Sequence, residues 1–255
     1  MLYPVGQPGN QRALVRQTII LLPGLLCDAC VWEHQVEHLG RSYEVQVPDL
    51  RHFDSIAAMA RHVLEQAPAR FSLAGHSMGA RVALETVRMA PDRVERLALL
   101  DTGIHPIRPG EAERRQALIE LGEREGMEAL ANVWLPPMVR KGRLDADPEL
   151  NARLHAMVHR MGAAVHRRHI AALLGRPDAV AALAAVRCPV LIGVGSEDAW
   201  SPPAQHEEIL AALPGSLYVV FDGSGHMAPM EAPEAVTAAL ERWMALPLDK
   251  EAGTA

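Results

Sequence analysis

The chain predicts an α/β fold: a mostly parallel sheet with helices on both faces and a helical segment inserted between two strands. Three observations predict it. Short, continuously apolar runs such as Thr18-Ile19-Ile20-Leu21-Leu22 alternate with stretches of helical period. Such runs suit strands buried on both faces, and strand–helix alternation implies parallel pairing. The alternation stops after residue 102, gives way to helical patterning over 103–186, and then resumes. Finally, 255 residues, of which 49% are apolar and only 4% aromatic, suffice for one domain with an inserted subdomain and an aliphatic core.

In chain order, residues 1–17 are poorly patterned and read as a frayed edge strand or a tail. Residues 18–22 form the first strand, closed by Pro23-Gly24. Asp28 can cap a helix over 29–39, since its carboxylate accepts from free N–H groups of the first turn. Residues 44–47 are the next strand, and Ser55 caps a helix to about Ala67 that Pro68 ends. Residues 71–76 are apolar and strand-like. Residues 80–90 place Val82, Ala83, Thr86, Val87 and Ala90 on one helical face, and 94–100 is another strand. After the helical segment, 190–194 and 217–221 read as strands, and 204–213 and 233–246 as helices. The tail after Pro247 reads as disordered. The division is therefore core at 1–102, inserted helical cap at 103–186, and core again at 187–255.

Composition excludes several function classes. The net charge of −6 argues against nucleic acid, which asks for a basic stripe. No run of about 18 apolar residues is present, so no membrane span is expected. The start lacks a basic segment followed by an apolar one, so a cytoplasmic location is the expectation. Cys27-Asp28-Ala29-Cys30 has redox spacing. A second ligand pair for structural zinc is missing, and the segment is better read as the start of a helix after the Pro-Gly loop.

Chemistry concentrates in Gly75-His76-Ser77-Met78-Gly79, a G-x-S-x-G pentapeptide between a strand and a helix. In a nucleophile elbow the serine sits on a sharp turn, its oxygen exposed above the sheet, and the flanking positions must be small. The following helix points its N-terminus at the site, which favours negative charge there. A serine hydroxyl needs a base, and the base an orienting carboxylate. Both should lie just after strands, where loops at the carboxyl ends build the site. Asp198 follows 190–194, and His226 follows 217–221 in a glycine-rich loop. Asp101 after 94–100 is a rival acid, and Glu197 reads as solvent-facing. An oxyanion hole takes two backbone N–H groups: Met78, after the serine, and Leu25 in the loop after the first strand, with Leu26 as the alternative.

This order, together with Gly225-His226-Met227-Ala228-Pro229-Met230-Glu231-Ala232-Pro233, resembles the α/β-hydrolase superfamily over residues 18–246. Within it the chain is similar to small capped carboxylesterases, 3-oxoadipate enol-lactonase-like hydrolases and pimeloyl-carrier-protein methyl ester esterases. The family commonly has His-Gly before the oxyanion residue, where this chain has Pro23-Gly24. The resemblance implies ester cleavage through an acyl-enzyme. Ser77 attacks, His226 moves the proton, Asp198 holds His226, and neither metal nor organic cofactor takes part.

Substrate choice is expected in the cap. Leu26, Trp134, Leu135, Met138, Met157, Met161 and Met227 are the candidate lining. A methionine stripe at helical spacing is also what a cap core requires. Residues 138–176 hold eight Lys or Arg against three Asp or Glu, and Arg153, Arg160 and Arg167 recur every seven residues. That face suits a carboxylated substrate or an acidic carrier protein, or else is a solvated helix face. His155, His159, His166 and His169 lack a matched carboxylate in sequence and suggest no metal. The leading expectation is a serine hydrolase of small to medium carboxylic esters. The alternatives are an enol-lactonase or carrier-linked methyl ester esterase with an anionic substrate, a cofactor-free perhydrolase or C–C bond hydrolase, and a ligand receptor without turnover.

Overall fold

The computed structural model describes residues 16–248. Six strands form one parallel sheet: β1 (Thr18–Leu22), β2 (Glu44–Gln46), β3 (Phe71–His76), β4 (Val94–Leu100), β5 (Val190–Gly195) and β6 (Leu217–Phe221), in the order β2-β1-β3-β4-β5-β6. Every adjacent pair is parallel, with Leu22 opposite Gly75 and Gly75 opposite Leu99. β1, β3 and β5 are wholly buried, which is why they read as continuous apolar runs rather than alternating ones.

Helices cover both faces. A short 3-10 turn at Ala29–Trp32, capped by Asp28 accepting from Cys30 N at 2.9 Å, leads into α1 (Glu33–Leu39). α2 (Ile56–Gln66) follows β2, and α3 (Met78–Met89) follows β3. Ser55 stands at the N-cap of α2 in extended backbone, but its side chain makes no capping bond. Right-handed crossovers place α1 opposite α2 and α3, because the chain steps left from β1 to β2 and then right from β2 to β3. α2 and α3 pack on each other, and α11 (Pro233–Met244) packs on α1 and on β4, β5 and β6.

The stretch between β4 and β5 carries α4 (Glu111–Arg124), α5 (Met127–Trp134), α6 (Arg143–Ala146), α7 (Pro148–Leu174) and α8 (Ala179–Leu183). α7 packs on α4, α5 and α6, whereas α8 packs on α3 of the sheet layers. α7 is broken at Gly162, whose φ of 73° and ψ of 166° lie outside the helical region. α9 (Pro203–Ala212) joins β5 to β6, and α10 (Ala228–Glu231) precedes α11. No helix among the described residues is long and apolar enough to cross a membrane. The expectations for 1–15 and 249–255 lie outside the described residues.

Candidate active site

The strand order reverses direction at β1 and β3, so the loops leaving their carboxyl ends diverge and open a crevice between them. Ser77 stands on the β3 side of that crevice and Leu25 on the β1 side. Ser77 has φ 55° and ψ −114°, a conformation that costs a non-glycine residue about 1–3 kcal/mol. It is held there by its own N–H donating to Leu100 O at 2.9 Å, and by Thr102 Oγ1 donating to its carbonyl at 3.2 Å. The elbow glycines are dictated by contact. A Cβ on Gly75 would collide with the backbone of Gly79, and one on Gly79 with the carbonyl of Leu22.

His226 Nε2 lies 2.7 Å from Ser77 Oγ, and His226 Nδ1 lies 2.9 Å from Asp198 Oδ2. A carboxylate only accepts, so Nδ1 carries the proton. Nε2 is then the acceptor facing the serine hydroxyl. Asp198 Oδ1 accepts from Trp200 N and Ser201 N, both at 2.8 Å. Burial, the largest single influence on Asp198, favours its neutral form. The His226 charge and hydrogen bond, with the two amides, outweigh burial and hold it below the usual carboxylate range.

Asp101 does not orient His226. Its Oδ1 accepts from Gly195 N at 2.9 Å, and Oδ2 lies 3.8 Å from His76 Nε2. Burial first, and the neighbouring Asp198 charge second, push it well above the ordinary carboxylate range. Its φ of 48° turns it away from the ladder it follows. Glu197 is exposed.

Two supporting residues take roles that only the folded chain shows. His76 Nε2 donates to the His226 carbonyl at 2.7 Å, and burial pushes its imidazole down to about 3, so it stays neutral. Glu231 accepts from Gly225 N at 2.9 Å and from Arg140 N at 2.8 Å, tying the His226 loop to the inserted segment. Gly225 is required there, since a Cβ would meet Val139 C at 2.5 Å. The Gly-His…Glu spacing was the available signal for Glu231.

A cavity of about 60 Å³ holds this constellation. Leu25, Ser77, Met78 and His226 line it, with Trp134, Met138 and Met227 of the expected substrate residues. Met78 begins α3, where a backbone N–H has no intrahelical acceptor. The remaining expected residues are placed elsewhere. Leu26, Leu135, Met157 and Met161 are 0%, 0%, 0% and 3% exposed and belong to the hydrophobic core. Leu26 takes a positive φ of 57° as the loop turns away from the cavity. The stripe containing Met157 and Met161 supplies the core that α7 shares with the other inserted helices.

The basic face of the insertion is not a free surface. Arg153 pairs with Glu33 and Arg160 with Asp28, while Arg167 pairs with Glu123 beyond the Gly162 break. His155 and His159 do find a carboxylate, Glu128 of α5, at 3.3 and 2.7 Å. Among the described residues no group of three or more His, Cys, Asp or Glu is arranged to hold a metal. Cys27, Cys30 and Cys188 are free, and burial pushes the Cys27 thiol far up, so it is no ready nucleophile.

Residues 19–239 match the alpha/beta hydrolase family. The chain belongs to that family. A thermophilic esterase from Thermogutta terrifontis is similar at 31% identity and a TM-score of 0.82, over 89% of each chain. The enol-lactonase from Burkholderia xenovorans LB400 shares the fold at 23% identity and a TM-score of 0.81, over 92% of this chain and 94% of that one. A relative from Escherichia coli O81 (strain ED1a), provisionally named carbamate hydrolase RutD, is 28% identical over 87% of this chain and 89% of its own. The protein is therefore an enzyme, a hydrolase of the alpha/beta type.

Proposed function

We propose that this alpha/beta hydrolase cleaves carboxylic esters through an acyl-enzyme formed on Ser77. The observation that carries the proposal is the continuous chain Ser77 Oγ–His226–Asp198, at 2.7 and 2.9 Å, opening onto a cavity. His226 Nε2 takes the hydroxyl proton as Ser77 attacks the carbonyl, and Asp198, kept ionised, stabilises the imidazolium that results. The N–H of Met78, at the positive end of α3, and that of Leu25 receive the oxyanion. The alcohol leaves with the proton from His226, which then activates water to release the acid. Helices α4 to α7 act as the cap, and Trp134 and Met138 form the wall above the serine. The likeness to the Thermogutta esterase supports ester chemistry.

A cavity this small suits short acyl groups. A p-nitrophenyl ester series from acetate to dodecanoate should show its highest kcat/KM between acetate and butanoate. Ser77→Ala should lose about a thousandfold or more. Equal rates in the wild type and Ser77→Ala would remove Ser77 from the reaction.

A further inference from the structure

The cavity holding Ser77 and His226 is also lined by Arg81, Arg115 and Arg176, against one carboxylate, Glu111. Glu111 is already saturated. Its two oxygens accept from Arg176 Nη1 and Nη2 at 2.7 and 2.8 Å, and Oε1 also accepts from Arg115 Nε at 2.9 Å. Arg81 is left over. It is only 8% exposed, Nη2 donates to the His105 carbonyl at 3.0 Å, and Nη1 is buried without a partner. Arg81 makes no ion pair among the described residues. His105 brings no anion, and burial and the surrounding arginines push its imidazole down to about 4, so it stays neutral. Three guanidinium groups therefore share one carboxylate on the wall of a reaction cavity.

A buried guanidinium without an anion is costly to the fold, and its planar fork is shaped for a carboxylate. Arg81 lies four residues beyond Ser77 on α3, about 6 Å along the helix axis and one turn from the serine. A short molecule can reach both groups at once.

We infer that the ester cleaved here carries a second, ionised carboxylate, held by Arg81 with Arg115 and Arg176 behind it. This rests on the ester-hydrolase reading above and names its substrate class: half-esters of short dicarboxylic acids. The arginines that determine the preference are those of the cavity, since Arg153 and Arg160 already have carboxylate partners.

The test compares monomethyl succinate and monomethyl glutarate with their neutral isosteres, in which the free carboxylate is a primary carboxamide. Binding is measured by calorimetry to Ser77→Ala, which leaves each ester intact, and kcat/KM is measured on the wild type. The expected result is that at least one half-ester binds about tenfold or more tightly than its amide, with kcat/KM following. Adding Arg81→Gln brings that ratio to about one, and Arg81→Lys restores part of it. A ratio near one in Ser77→Ala itself, which needs no change at Arg81, overturns the inference. So does a ratio that survives Arg81→Gln. Failure of the hydrolase reading looks different: the wild type cleaves neither ester, while the binding ratio still reports on Arg81.

Discussion

Asp101 and Asp198 are both buried carboxylates following neighbouring strands, and their surroundings alone separate them. Asp198 has two amides and the His226 N–H, all favouring its charge. At Asp101, burial and the charge of Asp198 outweigh the amides that favour ionisation, and among the described residues no cation lies against it to reverse the balance. Two substitutions divide the roles. Asp198→Asn should cut kcat by about ten-thousandfold, because an amide can stabilise the wrong histidine tautomer. Asp101→Asn should keep kcat within a few-fold, since its Oδ1 can still accept from Gly195 N. Stability should diverge as well. A carboxyl whose folded pKa is raised gives its full stabilisation below the unfolded pKa and loses it as pH rises through the folded value. Asp101→Asn should therefore gain on the wild type in urea unfolding as pH rises above the unfolded carboxyl pKa of about 4. A variant that instead loses ground over that range would contradict the assigned surroundings of Asp101. Spacing made both acids legible. The positive φ of Asp101 and its bond to β5 belong to the folded chain and leave no mark in sequence.

Among the elements, the strands and sheet helices were legible because burial on both faces and amphipathic period are written residue by residue. The start of α3 was not. It begins at Met78, two residues earlier than its apolar period, because the elbow commits the chain to helix immediately after Ser77. The lining of the inserted helices was legible only in part. A stripe at helical spacing looks the same whether it faces a cavity or a core, and Met157 and Met161 face the core. What holds those helices in place is polar. Glu231→Ala would strand the N–H groups of Gly225 and Arg140, costing about 3 kcal/mol of stability and lowering kcat through a loosened His226 loop. Unchanged melting and unchanged kcat would deny that strap. Glu111 joins α4 to Arg176, just past α7. Burial, the largest influence, opposes its charge. Hydrogen bonds from Arg176, the Arg108 amide and Arg115 prevail and bring it from 4.5 to about 2. A depressed carboxyl stabilises above its unfolded pKa and ceases to as pH falls through the folded one. The stability gap between wild type and Glu111→Gln should thus be about 3 kcal/mol above pH 5 and shrink between pH 4.5 and 2. A gap independent of pH over that range would contradict the pairing.

At the scale of the molecule, the reversal of strand order brings together residues 25, 77, 198 and 226 from four separate loops. Non-glycine residues with positive φ cluster at the same edge: Leu26, Ser77 and Asp101. Chain order after each strand pointed to Ser77, His226 and Asp198, and the topology brings these three within hydrogen-bonding distance because it turns order into proximity. It did not reveal the arginine cluster, which depends on how the inserted helices settle over α3. Only the i+4 spacing of Ser77 and Arg81 hinted at it. The reading of this site stands or falls with Ser77 as a nucleophile activated by His226. The most direct measurement is labelling of the full chain with a fluorophosphonate, followed by peptide mass spectrometry. One adduct per chain is expected, on Ser77, with labelling slowed at least about a hundredfold in His226→Ala. An adduct on another residue, or equally fast labelling of Ser77 without His226, would contradict that reading.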